Sequence, residues 1–147
     1  MFDTVVIATD GSKSAERSVE MAVDLAAKFD GDVHALYVVD TDEIEGSPDE
    51  IRDDLEQAIH EAGDEALSYA EQEVDGLERT DISTAIRQGE PANEIIDYAE
   101  EVDADAIALG TRGRHGEHAF LLGSVAESVV RQAPQPVLTV RQLESSA

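Results

Sequence analysis

The sequence predicts an α/β protein whose parallel sheet is covered by helices on both faces. Two observations carry that expectation. Short, continuous apolar runs alternate along the chain with stretches whose apolar residues recur every three or four positions. Most of the short runs are apolar throughout, the pattern of strands buried on both sides, and the alternation of strand with helix is the order that builds a parallel sheet.

Thr4-Val5-Val6-Ile7-Ala8 is the first strand, β-branched and uninterrupted. From Ser14 to Phe29, Ala15, Val19, Ala22, Ala26 and Phe29 mark a helix. Val33 to Val39 is a second strand, and Asp40 to Asp49, with Gly46 and Pro48, reads as an acidic connector. Ile51, Leu55, Ala58, Ala62, Ala66, Tyr69 and Ala70 trace a long helix ending near Gly76. Ile82, Thr84 and Ile86 give a third strand. Pro91 occupies the first position of a helix continued by Ile95, Ile96, Tyr98 and Ala99. Ala106-Ile107-Ala108-Leu109 is a fourth strand, a helix runs from Ser124 to Gln132 until Pro134 breaks it, and Val137-Leu138-Thr139-Val140 is the last strand. In sheets of this kind ligands bind beyond the carboxyl ends of the strands, near the point where strand order reverses. The positions to inspect are therefore Thr9 to Ser12, Val38 to Asp40, Gln88 to Glu90, and Gly110 onward.

A chain of 147 residues suits one domain, expected over 1–143, with 144–147 as a disordered tail. Thirty-four acids against ten Lys and Arg give a net charge of −24, yet a hydrophobic fraction of 41% is enough to fold. Such a field repels nucleic acid and anionic membranes, so neither is an expected partner. The absence of cysteine excludes disulfides, thiolate catalysis and Cys-based metal sites. Without a signal-peptide pattern or an apolar run of about 20 residues, the chain reads as cytoplasmic. Its acidity and its two lysines suggest a halophile's cytosol, where salt screens self-repulsion.

The charge reverses locally. Between Ala106 and Arg141 there are two acids, Glu117 and Glu127, against Arg112, Arg114, Arg131 and Arg141. Arg112, Arg114, His115 and His118 crowd together just after the fourth strand, among Gly110, Gly113, Gly116 and Gly123. Glycine lets backbone N–H groups approach a phosphate with no side chain intervening, and a helix starting at Ser124 would aim its positive end at the same place. The alternative stays open: the glycines can be ordinary turn residues, and Ser124-Val125-Ala126-Glu127 fits a capping box in which Ser124 only caps its own helix. No G-x-x-x-x-G-K-[ST] occurs, and Asp10-Gly11-Ser12 stands where G-x-G-x-x-G would follow the first strand. P-loop NTPases and hydride-transfer dehydrogenases are thereby disfavoured.

Asp10 at a strand end can accept from a ribose diol, or only from nearby amides in an Asp-Gly turn. His115 and His118 lack a third ligand for zinc, and Asp40, Asp42, Glu43 and Glu45 lack the ligand order of a calcium loop, so a solvated acidic loop is expected there. No nucleophile–base set emerges from spacing.

Gly110-Thr111-Arg112-Gly113, nine residues, then Gly123-Ser124 resembles the nucleotide signature G-x2-G-x9-G-[ST] of the universal stress protein family. Ile7-Ala8-Thr9-Asp10-Gly11-Ser12, Glu90 to Ile95 and Ala133 to Leu138 resemble it too, and the likeness runs from Thr4 to Val140. The resemblance implies a Rossmann-like (adenine nucleotide alpha hydrolase-like) three-layer α/β/α fold with a five-stranded parallel sheet that binds ATP, with magnesium or manganese bridging the phosphates. It implies Asp10 at the ribose with Thr9 beside it, and the Val38 backbone at the adenine. Gly110, Arg112 and Gly113 would wrap the phosphates, which Gly123, Ser124 and Val125 would hold at the helix start. It also implies a homodimer paired through Val137–Val140. The expected function is a stress-response or signalling module rather than an enzyme. A slow ATPase or phosphotransferase, and a dimerisation module that binds no nucleotide, stand as alternatives.

Overall fold

Five parallel strands form one sheet in the computed structural model, which describes residues 2–111 and 123–141. They are β1 (Thr4–Ala8), β2 (Asp32–Asp40), β3 (Ile82–Gly89), β4 (Ala106–Gly110) and β5 (Val137–Val140), in the order β3-β2-β1-β4-β5. The helices are α1 (Lys13–Lys28), α2 (Thr41–Glu45), α3 (Asp49–Val74), α4 (Pro91–Glu101) and α5 (Ser124–Gln132).

The uninterrupted apolar strands have the physical reason the sequence suggested. On β1, alternate side chains enter opposite cores. Val5 and Ile7 pack with α1 and α3 residues such as Val19, Ala26 and Ala70, while Val6 and Ala8 pack with α4 and α5 residues such as Ile95, Ala99 and Val129. Neighbouring strands reinforce the split, because the register pairs Val5 with Val33 and Ala106, and Val6 with His34 and Ile107. The fold is therefore the three-layer, Rossmann-like sandwich expected. At its edge, β3 has no fully buried residue, which is why its sequence is the least uniformly apolar.

One segment differs from its sequence reading. Part of the acidic connector is helical: α2 begins where the Asp40 side chain accepts from the Asp42 amide at 3.0 Å, and Ile44 seals it onto the core at 4% exposure. One buried residue in five offers no periodicity to detect. No helix among the described residues is long and apolar enough to cross a membrane. Residues 144–147 lie outside the described residues.

Candidate functional site

The turn from β1 into α1 is built from short polar side chains that bond the backbone. Thr9 is buried, and its amide extends the β1–β2 ladder by donating to the Leu36 carbonyl at 2.9 Å. Its Oγ1 accepts from the Gly11 amide at 3.2 Å, Asp10 Oδ1 accepts from the Ser12 amide at 2.9 Å, and Ser12 Oγ accepts from the Ala15 amide as the N-cap of α1. Gly11 takes φ +82°, a conformation that disfavours a side chain, so the turn needs glycine there. Asp10 thus does make the local turn bond, while its carboxylate also borders open space.

That space is a cleft of about 260 Å³ beyond the carboxyl ends of β1, β2 and β4. β1 neighbours β2 on one side and β4 on the other, so chain direction across the sheet reverses here, at the switch point where such folds bind ligands. Leu36, Val38, Ile59, Pro91 and Ile95 supply apolar wall, and Thr9, Asp10, Gly110, Gly123, Ser124 and Val125 line the rest of it together with Asp40, Glu43 and Ala126.

The amino end of α5 forms one wall. Its N-cap is Gly123, at φ −61° and ψ 157°, and no side chain among the described residues caps it. The capping box read from Ser124 to Glu127 is therefore not formed: Ser124 is the first helical residue, one place too late for its hydroxyl to serve as the cap. The Gly123 amide donates to the Thr111 carbonyl at 2.7 Å, and its own carbonyl accepts from Glu127 at 2.9 Å, the first bond of the helix. That leaves the amides of Ser124, Val125 and Ala126 as the helix-end donors with no intrahelical acceptor. All three residues line the cleft. Gly123 is buried where it meets Thr111, and its φ is one that any residue can adopt.

Seven of the nine expected site residues thus meet in one cleft: Thr9, Asp10, Val38, Gly110, Gly123, Ser124 and Val125. Arg112 and Gly113, with His115 and His118, lie outside the described residues. Asp40, the last residue of β2, was among the strand-end positions to inspect, but it and Glu43 were read as part of a solvated acidic loop, and the structure places both in the cleft lining. Sequence reasoning missed the apolar walls, because Ile59, Pro91 and Ile95 come from two helices far apart in sequence. The described lining carries three carboxylates, Asp10, Asp40 and Glu43, and no cation, and the amino end of α5 adds its positive partial charge. No cluster of three or more metal-ligating side chains exists among the described residues.

Residues 1–141 match the universal stress protein family. The chain belongs to that family. It is 39% identical over 145 residues to a universal stress protein of Methanocaldococcus jannaschii, covering 97% of this chain and 84% of that one. Among solved structures it superposes on a universal stress protein, UspA, from Lactobacillus plantarum with a TM-score of 0.84 at 29% identity, over 95% of this chain and 98% of the other. An Archaeoglobus fulgidus universal stress protein in complex with dAMP gives 0.63 at 30% identity, over 96% and 98% of the two chains. Another family member, in complex with cAMP, gives 0.68 at 28%, over 95% and 97%.

Proposed function

We propose that this universal stress protein binds an adenine nucleotide, with ATP as the physiological ligand, in the cleft at the switch point of its sheet. The observation that carries the reading is the uncapped start of α5. Three helix-end amides border a cleft whose other walls hold a carboxylate at a strand end and an apolar slot, which are the chemistries of phosphate, ribose and base. The family's complexes with dAMP and cAMP support an adenine nucleotide as the class.

Ser124, Val125 and Ala126 would donate amides to phosphate oxygens, joined by Gly110, Arg112 and Gly113 of the glycine loop. Gly123 would contribute room rather than a donor, since its amide already bonds Thr111. Asp10 would accept from the ribose, Thr9 would fix the turn that aims it, and the Val38 backbone would meet the adenine. With no cluster of three metal-ligating side chains among the described residues, magnesium or manganese would be held mainly by the phosphates, whose charge it would neutralise. Nucleotide occupancy would bias conformation or partner choice in a stress-response or signalling dimer paired through β5, without rapid hydrolysis, for which the sequence offers no P-loop lysine.

The test is to denature the purified protein, identify any released nucleotide, and titrate ATP-Mg in high salt alongside Gly123→Val. Binding by the unaltered chain and its loss in the variant are expected. Failure to bind at millimolar ATP would refute the proposal, and phosphate release above the Gly123→Val background would move it towards a slow ATPase.

A further inference from the structure

We infer that Asp40 makes the cleft read the six-position of a purine, admitting the amino group of adenine and rejecting the carbonyl of guanine; the inference rests on the nucleotide reading above. Leu36, Val38 and Asp40 stand at alternate positions of β2, so their side chains share one face of the sheet. All three line the cleft, as do Pro91 and Ile95 at the start of α4. The four apolar residues make a slot suited to a flat ring, and Asp40 is the polar group at the strand end of it.

The cleft is also electrically lopsided. The start of α5 presents amides and the positive end of a dipole, whereas the β2–α2 junction presents Asp40 and Glu43. A phosphate beside two carboxylates would meet like charge, so the favoured orientation puts phosphates at α5 and the base at β2. The Asp40 carboxylate is held in place by the Asp42 amide, which donates to Oδ1 at 3.0 Å and is its one hydrogen-bond partner among the described residues. An ionised carboxylate only accepts. Adenine offers it the N6 donor, while guanine and hypoxanthine put an acceptor, O6, at that corner. At the six-position itself the carboxylate therefore attracts the amino group and repels the carbonyl.

The experiment is calorimetric titration of ATP, GTP and ITP, each with magnesium in high salt, into the unaltered protein and Asp40→Asn. Asparagine is an equally good N-cap, so α2 keeps its start, and its amide group can donate to O6. ITP lacks the 2-amino group of guanine and so confines its difference from ATP to the N1–C6 edge, where hypoxanthine has N1–H and O6 in place of an N1 acceptor and the N6 amino group; the change in the ATP-to-ITP ratio on Asp40→Asn reports the part that Asp40 reads. The unaltered protein should bind ATP at least about tenfold more tightly than ITP or GTP, and Asp40→Asn should bring ATP and ITP to within about threefold, with ITP gaining affinity. An ATP-to-ITP ratio unchanged in a variant with native circular dichroism, or no preference in the unaltered protein, would overturn the role of Asp40 and leave the nucleotide cleft standing. No binding of ATP by the unaltered protein would overturn both.

Discussion

A β-carbon added at Gly63 would sit 2.6 Å from Cδ2 of Tyr37, a side chain buried completely under α3. Glycine inside a 26-residue helix is therefore a packing requirement, since it lets α3 lie directly on the tyrosine ring. Gly63→Ala should gain about 1 kcal/mol of helix propensity and lose about 1–3 kcal/mol to overpacking, for a net destabilisation readable in urea melts. A more stable variant would contradict that contact. His34 sets a second expectation. Burial holds its pKa below the ordinary 6.5, partly opposed by the Asp32 charge, while Nδ1 lies 3.0 Å from the Tyr98 hydroxyl. A depressed imidazole pKa means that the unfolded chain takes up the proton more readily. The His34 contribution is thus intact above about pH 6.5 and declines as pH falls from there towards the folded-state value. His34→Gln should retain a larger share of its neutral-pH stability at about pH 5 than the unaltered protein, and equal slopes in pH-dependent melts would argue against it.

β1, α5 and β5 are bounded as their sequence patterns predicted, because each has a strong local cause: a continuous β-branched run, a proline stop, or an apolar run between prolines and the tail. α2 was invisible because one buried isoleucine in five residues carries no period. The capping box misled because S-x-x-E does not reveal which residue starts the helix, and the chain enters α5 through Gly123. The site was legible where it lies at strand ends, at Thr9, Asp10, Val38 and Gly110. Its apolar walls were not, since they depend on how α3 and α4 lie over the sheet. β5 carries its own prediction. The Pro136 carbonyl accepts from the Ile107 amide of β4 and the Val140 carbonyl from the Thr111 amide just after β4, so the even positions face inward and the Thr139 amide faces the open edge. Thr139→Pro should spare the inner ladder and abolish the edge pairing proposed above for a dimer, halving the mass seen by light scattering; an unchanged mass would count against pairing through β5.

The net charge of −24 acts over the entire surface, and most described ion pairs are exposed, as in Lys28–Asp24, two-thirds accessible on each side, the bidentate Arg87–Glu101 pair being the better held. Such pairs contribute little, so self-repulsion is the larger electrostatic effect. Because the screening length falls from about 10 Å at 0.1 M salt to about 3 Å at 1 M, the melting temperature should climb with sodium chloride across that range. A flat response would mean that repulsion does not limit stability. Nucleotide affinity should follow the same trend, since the described lining of the cleft is itself acidic and its attraction for phosphate depends on α5. Amide chemical shifts followed by NMR during an ATP-Mg titration in high salt test that dependence most directly. The account predicts that Ser124, Val125 and Ala126 move furthest and saturate together; saturation with those three amides unmoved would contradict it.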